Sequence, residues 1–273
     1  MVYQKLPDWK KLVELKLLTD LSNPPKELFY RGNWDADIFK NCVAVVGSRK
    51  MTDYGRRVIE KLVSQLVFEK KTIVSGFMYG VDQYAHQVCL ENGGMTIAVL
   101  GWGINYPLSS SDKKLAEKIT ENGGLLLSEW ENQPGTLWTF PFRDRIIAAL
   151  CQEIYVVEAG ENSGSLITAR NAVKLKRKLF AIPGPITSKV SVGTNQLIAD
   201  GLAQMWTGTK AISQLPLVTS DPILAILENE ALTTDELSRK LNRSVSEIGA
   251  EISVLMLSGK IVEKGGKYYL NDT

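Results

Sequence analysis

The 273-residue sequence contains few cysteines and no long apolar run. Its three cysteines, Cys42, Cys89 and Cys151, lie outside any CxxC or Cys/His pattern, so the sequence predicts neither a metal site nor a disulfide framework. No apolar run approaches the roughly 18 to 20 residues that span a bilayer, and the N-terminus lacks the apolar core of a signal peptide. We therefore expect a soluble, cytoplasmic protein with reduced thiols and no membrane partner.

The sequence also lacks a large excess of charge of one sign, because 32 Lys and Arg face 30 Asp and Glu, a net charge of +2. Total charge therefore does not identify a nucleic-acid-binding protein, and a basic surface must come from local clustering. Residues 219–273 contain six Lys or Arg and nine Asp or Glu, a net charge of −3, which leaves +5 for residues 1–218. This distribution favours the first part of the chain as the place for a polyanion.

Six short runs rich in β-branched residues alternate with amphipathic stretches between Asn41 and about Trp206. Near-continuous apolar strands are buried on both faces, which is typical of a parallel sheet. After the first run, apolar residues recur with helical spacing, which predicts a crossover helix. Repeated strand–helix units predict an α/β fold with a Rossmann-like, doubly wound, mostly parallel sheet. The six predicted strands are residues 42–47, 72–76, 96–101, 125–129, 154–159 and 179–183.

The C-terminal part of the sequence has a different pattern. Three predicted helices are followed by a hairpin that turns at Gly265-Gly266, which is the order of a winged helix. The sequence thus divides into a lead-in segment (1–40), a Rossmann-like DNA-binding domain (41–212), a linker (213–221) and a winged-helix-like domain (222–273). The candidate recognition helix, residues 245–257, carries Glu247 and Glu251 and no basic residue, which favours protein contact or structural packing over a DNA groove.

Four turns at the predicted carboxyl ends of strands have the composition of anion-binding loops. Ligands of open parallel sheets bind at this edge, and glycine amides, hydroxyls and guanidiniums near helix N-termini suit phosphates. Each turn alone is also explained by strand ending and helix capping, but several in a row suit a ligand with repeated phosphates. The turns are Gly47-Ser48-Arg49, Ser75-Gly76 with Gly80, Gly101 with Gly103, and Ser163-Gly164-Ser165, which opens a helix carrying Thr168 and Arg170.

The segment 136–145 (TLWTFPFRDR) places aromatic residues beside arginines. Single-stranded nucleic acid offers a base face to stack and a phosphate to pair at every step, so Trp138, Phe140, Arg143 and Arg145 are candidate contacts. The alternative is that the rings are core and the arginines pair with Asp144 or Glu129. Lys113 and Lys114, at the start of a predicted helix, either extend this basic track or form a solvated helix end.

Catalytic equipment is sparse in the sequence. His86, the only histidine, could form half of a metal site with Asp82, but a structural Asp–His pair is favoured. Glu129 and Glu158 either act as general acid and base or bind amides of nearby turns. The strand-to-helix turns carry no Ser/His/Asp order, P-loop lysine motif or GxGxxG motif. We therefore expect no catalytic residue, no metal and no cofactor.

Eight motifs in order resemble the DNA processing protein A family (DprA, also called Smf). The motifs are VAVVGSR and TDYG within 43–55, SGFMYGVDQYAH at 75–86, TIAVLGWGINYP at 96–107, LLSE at 126–129, FPFRDRIIAAL at 140–150, VVEAGENSGSLITAR at 156–170, RKLFAIPGP at 177–185 and GTNQLIADG at 193–201.

This resemblance implies a cytosolic, homodimeric protein with an extended Rossmann fold that binds single-stranded DNA, protects it and loads a RecA-type recombinase in natural transformation. It also implies that the family's phosphate turn falls on Gly47, Ser48 and Arg49. Asp144 stands where the family usually has Asn, which implies weaker binding. The alternative function is that of a nucleotide-processing hydrolase of the lysine-decarboxylase-like phosphoribohydrolase type, with Glu158 assisting glycosidic cleavage. Those enzymes carry a PGGxGTxxE pattern, and the corresponding EAGENSGSLITAR lacks the glutamate after the turn.

Overall fold

The chain forms two compact units, residues 1–209 and 210–273. A computed structural model describes residues 2–208, 222–227, 230–257 and 260–270. The predicted linker, 213–221, lies outside the described residues, so it stays a prediction.

The first unit contains a nine-stranded sheet in the order β1-β2-β6-β5-β4-β3-β7-β8-β9. All pairs from β6 through β9 are parallel, and only β1 and β2 run antiparallel to their neighbours. The predicted mostly parallel sheet is therefore confirmed. The strands are β1 (Gln4–Lys5), β2 (Phe29–Gly32), β3 (Cys42–Val46), β4 (Thr72–Ser75), β5 (Thr96–Val99), β6 (Leu125–Ser128), β7 (Glu153–Val156), β8 (Lys178–Ala181) and β9 (Gln204–Met205).

Strand β3 is the point at which the chain changes direction across the sheet. From β3 the chain builds β4, β5 and β6 on one side, and then returns to place β7, β8 and β9 on the other. The loops that leave β3 and β7 therefore diverge and leave a crevice at the carboxyl edge, where ligands of doubly wound folds bind.

The residues that precede β3 belong to the sheet unit. Strand β2 pairs with β6 in the register Phe29↔Ser128, and the side chains of Phe29 and Tyr30 are buried. The segment 1–40, predicted as an N-terminal lead-in, contributes β1 and β2 to one side of the sheet. Short 3₁₀ helices at Trp9–Lys11, Val13–Asp20 and Ala36–Phe39 complete this part of the chain.

Helices cover both faces of the sheet. Alternate residues of β3 pack into two different apolar clusters: Val43 and Val45 face one, and Ala44 and Val46 face the other. This double burial explains why the strand is apolar throughout. The helices of this unit are α1 (Asp53–Phe68), α2 (Val81–Glu91), α3 (Ser110–Glu121), α4 (Thr139–Leu150), α5 (Ser165–Lys174) and α6 (Val192–Ala199).

The second unit contains three helices and a hairpin. They are α7 (Pro222–Leu227), α8 (Thr234–Leu241), α9 (Val245–Leu257), β10 (Ile261–Lys264) and β11 (Lys267–Leu270). Thr233 and Glu236 form a capping box at the start of α8. Gly265 and Gly266 both have positive φ, as the tight turn between β10 and β11 requires. The order of elements is the predicted one, and the assignment as a winged helix stays a prediction.

None of the helices that the structure describes is long and apolar enough to cross a membrane.

Candidate nucleic-acid interface

A cleft of about 1030 Å³ opens at the crevice between the ends of β3 and β7. The structure brings together here two of the four predicted turns, residues 47–49 and 163–165, with two side chains of α4, Phe140 and Arg143. Further residues of the lining are Lys50, Asp82, Asp144, Thr168 and Lys189.

The first turn depends on the absence of a side chain at Gly47. A Cβ atom there would lie 2.8 Å from Val81 Cγ2 and 3.0 Å from the Glu158 carbonyl oxygen. The Ser48 hydroxyl accepts a hydrogen bond from the Lys50 amide at 2.9 Å. The turn is therefore closed by its own backbone and by the start of α2, and Arg49 stands at the end of this rigid loop.

Arg49 is exposed and lies among aromatic rings at the mouth of the cleft. Its guanidinium carbon is 5.1 Å from the centre of the Phe140 ring and 5.9 Å from that of Tyr79. Cation–π contact of this kind orients the guanidinium plane without neutralising its charge. Arg49 is thus a positioned cation that faces solvent.

The N-terminus of α1, next to this turn, contacts a buried carboxylate of the protein itself. Glu158 is 2% exposed, and its carboxylate accepts hydrogen bonds from the Thr52 amide, at 2.9 Å, and from the Thr52 hydroxyl. An internal carboxylate therefore satisfies the positive end of the helix. Glu158 therefore accepts a hydrogen bond from a turn amide, which is the second of the two roles considered for it from the sequence.

The second turn places the N-terminus of α5 at the cleft. Residues 160–165 and Thr168 line the cavity, and the Ser163 and Ser165 hydroxyls lie 2.8 Å apart. Gly164 has open space around its Cα, since an added Cβ would meet nothing within 4 Å. The first turn of α5 therefore offers amides, two hydroxyls and the positive end of the helix dipole to an anion.

The floor of the cleft combines one arginine with two aspartates. Arg143 is 3% exposed, its Nε is 3.0 Å from Asp144 Oδ1, and its Nη1 donates to the Val99 carbonyl. Burial raises the pKa of Asp144 to about 6, opposed by Arg143 and reinforced by the nearby Asp82. Burial likewise raises the pKa of Asp82, again opposed by Arg143. Arg143 thus reaches the cleft while paired with Asp144, as the alternative interpretation of this segment anticipated.

Arg145 does not line the cleft. It is 8% exposed, and its two Nη atoms each donate to one carboxylate oxygen of Glu129 at 2.7 Å. Its Nε donates to the Asn23 carbonyl, and its guanidinium lies 3.8 Å from the centre of the Phe142 ring. The guanidinium is committed to a buried ion pair, which corrects the prediction that Arg145 neutralises DNA.

The remaining predicted contacts lie outside the cleft lining. Trp138 is 54% exposed and packs edge-on against Trp130, with ring centres 5.7 Å apart. Lys113 and Lys114 are exposed on the first turns of α3, and Arg170 is exposed on α5. These residues are accessible to a ligand that extends beyond the cavity, and their role stays a prediction.

His86 has a structural role that differs from the expected pairing with Asp82. Its Nε2 donates to the Gly76 carbonyl at 2.7 Å, and its Nδ1 is 2.7 Å from the Thr96 hydroxyl. Burial lowers the pKa of His86 to about 4, so the ring is neutral at pH 7. Within the described ranges, no three His, Cys, Asp or Glu side chains come together as metal ligands.

Sequence reasoning missed several lining residues, among them the charged residues Lys50, Asp82, Glu161 and Lys189. Lys50 directly follows the Gly47–Arg49 turn and could have been included on that ground. Lys189 lies in the loop that leaves β8, and Asp82 lies in the first turn of α2. Their position in the lining depends on strand order, which the sequence pattern does not specify.

The chain matches known proteins over most of its length. The profile of the family described as "DNA recombination-mediator protein A" matches residues 7–216. DNA processing protein DprA of Streptococcus pneumoniae is 39% identical over 215 residues, which is 78% of this chain and 75% of that protein. Protein Smf of Escherichia coli is 33% identical over 267 residues, which is 89% of this chain and 71% of that protein.

A solved structure has the same fold. DNA processing protein A of Helicobacter pylori, whose structure is described as giving insight into its single-stranded DNA binding mode, superposes with a TM-score of 0.65 at 30% identity. The superposition covers 74% of this chain and 90% of that one. By profile, sequence and fold, this chain belongs to the DNA recombination-mediator protein A family.

Proposed function

We propose that this chain binds single-stranded DNA and holds the backbone of an unpaired strand in the cleft between the Gly47–Arg49 turn and the start of α5. The observation that carries the proposal is the exposed Arg49 guanidinium, held by Phe140 and Tyr79 beside a cavity that the N-terminus of α5 also lines. A phosphate there would meet a cation, two hydroxyls and helix amides.

An unpaired strand suits the site better than a duplex. The Phe140 ring lies in the lining, and Trp138 is largely exposed on the same helix start. Bases that are not paired can rotate onto such rings, whereas bases of a duplex are already stacked on each other. The family membership and the described single-strand binding of the Helicobacter pylori relative support this choice.

The wider role that we propose is that of an accessory protein. Bound to a single strand as a homodimer in the cytoplasm, the protein protects the strand and loads a RecA-type recombinase during transformation or recombination. The family description as a recombination mediator supports this role. It predicts that the chain shortens the lag before a RecA-type ATPase becomes active on a strand already covered by single-strand-binding protein, and an unchanged lag would refute it.

We also propose that the chain is not an enzyme. Glu158 is the carboxylate that would assist cleavage if the chain were a phosphoribohydrolase, and it is buried and hydrogen-bonded by Thr52. A carboxylate held in this way is not available to assist cleavage of a glycosidic bond. Incubation with nucleoside monophosphates should release no free base above the rate without protein, and release that depends on Glu158 would establish the hydrolase instead.

The direct test of DNA binding is a titration of fluorescently labelled oligothymidylate, followed by anisotropy, beside a duplex of the same length. We expect the single strand to bind more tightly than the duplex, and its affinity to fall with salt with a slope of about −0.7 per neutralised phosphate. Equal or tighter binding of the duplex, or an affinity that salt leaves unchanged, would overturn the proposal.

A further inference from the structure

A second arginine–tyrosine pair lies on the surface of α1 and α2, beyond the rim of the cleft. The guanidinium carbon of Arg56 lies 4.8 Å from the centre of the Tyr84 ring. Arg56 is exposed, and Tyr84 is half-buried with its ring against the apolar cluster beneath α1 and α2. The Tyr84 hydroxyl donates to Glu60, which fixes the orientation of the ring.

This second pair lies one helical turn past the N-caps of α1 and α2. The Arg56 amide donates to the Thr52 carbonyl, and the Tyr84 amide donates to the Gly80 carbonyl. Thr52 caps α1 just after Arg49, and Gly80 caps α2 just after Tyr79. One turn of helix rises about 5.4 Å, so Arg56 and Tyr84 each lie about that far along their helix from the N-cap that follows Arg49 or Tyr79 in the sequence.

The local charge around both pairs favours a polyanion. Residues 49–61 contain five Lys or Arg and two Asp or Glu, although the whole chain has a net charge of only +2. Unpaired bases stack on arginine planes as well as on aromatic rings. Two such planes in succession form a continuation of a single-strand path.

We propose that a bound single strand leaves the cleft over Arg49 and continues across the exposed surface of α1 and α2, where a nucleotide contacts the Arg56–Tyr84 pair. This extension rests on the proposed function of the cleft. It makes the affinity depend on the length of the strand, because only a strand longer than the cleft reaches the second pair.

The experiment compares Arg56→Ala with Arg57→Ala, a matched control that removes the same charge from the neighbouring exposed residue about 100° around the helix. Anisotropy is measured with oligothymidylates of about 4 and about 25 nucleotides, since a single binding groove typically occupies ~4–16 nucleotides. Arg56→Lys separates the flat plane from the charge, since lysine keeps only the charge. Thermal unfolding of each variant confirms that the fold is intact.

We expect Arg56→Ala to weaken binding of the longer strand by about tenfold, the effect of losing one stacked base, and to leave the shorter strand unchanged. Arg56→Lys should recover only a small part of the loss, and Arg57→Ala should alter both affinities little. If Arg56→Ala and Arg57→Ala behave alike with both strands, the extension is wrong while the cleft stands. If the wild-type protein binds neither strand, the cleft proposal and its extension both fail.

Discussion

The Arg143 guanidinium and the Asp144 carboxylate form an ion pair at the floor of the cleft, with Nε 3.0 Å from Oδ1. Neighbours in sequence on α4, they contribute opposite charges to the same cavity. The carboxylate offsets part of the positive potential that an anion would experience there. The affinity of the cleft for phosphate is therefore set by a balance between these two residues and by Arg49.

Replacing Asp144 by Asn should strengthen single-strand binding at neutral pH. The substitution removes a negative charge from the lining and keeps the volume of the side chain. We expect about a fivefold gain in affinity, which corresponds to the ~1 kcal/mol by which two like charges ~4 Å apart repel each other in water. Anisotropy titrations at fixed salt measure it, and an affinity that falls on substitution would show that the carboxylate contacts the ligand productively.

The same carboxylate makes binding depend on pH. Because the pKa of Asp144 is raised to about 6, the group is neutral below that pH and charged above it. Wild-type affinity should therefore rise as the pH falls through 6, and the Asp144→Asn variant should lack this step. His86 does not contribute, because its pKa is lowered to about 4. Titrations at several pH values with both proteins would reveal the step, and identical profiles would contradict its assignment to Asp144.

Stability should show a corresponding dependence on pH, and in the same direction. The folded protein holds a proton on Asp144 more tightly than the unfolded chain does, so this group stabilises the fold as the pH falls from about 6 towards the ordinary pKa of 3.8. Between these values the free energy of unfolding, relative to Asp144→Asn, should change by about 3 kcal/mol. Urea unfolding of the pair across this range measures the difference, and a constant difference would disprove the linkage.

Arg145→Ala should destabilise the fold strongly, because it leaves the buried Glu129 carboxylate without its bidentate partner. We expect a loss of about 3–5 kcal/mol in the free energy of unfolding. Arg49→Ala serves as the control, since Arg49 is exposed and its removal should change stability by less than about 0.5 kcal/mol. Equal urea midpoints for the two variants would mean that the ion pair contributes little.

Gly47→Ala and Gly164→Ala form a matched pair in the two turns of the cleft. A methyl group at position 47 would be 2.8 Å from Val81 Cγ2, whereas at position 164 it would meet nothing within 4 Å. We expect Gly47→Ala to lose about 1–3 kcal/mol of stability through overpacking, and to bind DNA less well because the turn is displaced. Gly164 has helical φ and ψ, so Gly164→Ala should fold normally. If position 47 tolerated alanine as readily as position 164, the account of the first turn would be wrong.

The sheet and the turns at its edge could be predicted because a strand that is buried on both faces is an almost uninterrupted run of apolar residues. Runs such as residues 42–47 are apolar at every position, and the carboxyl ends of parallel strands necessarily share one edge. The resemblance to a family then predicted which of these turns contacts DNA. The cleft that joins residues 47–49 to residues 163–165 follows from the same logic.

The partners of the charged residues could be offered as alternatives but not decided in this way. Glu158 and Thr52 are 106 positions apart, and their contact depends on how α1 begins beside β7. Arg145 meets Glu129 because the fold brings α4 beside the end of β6, after which Glu129 follows. An arginine next to aromatic residues in the sequence can either contact DNA or form a buried ion pair. Only its burial in the structure distinguishes the two.

The most direct test of the central claim is the salt dependence of single-strand binding by Arg49→Ala, measured beside Arg57→Ala. The account predicts that Arg49→Ala lowers the affinity at least tenfold and reduces the slope of log affinity against log salt by about 0.7, the contribution of one phosphate of a single strand. Arg57→Ala should retain nearly the wild-type affinity and slope. An Arg49→Ala variant that binds with the wild-type affinity and slope would show that the cleft at β3 and β7 does not hold the DNA backbone.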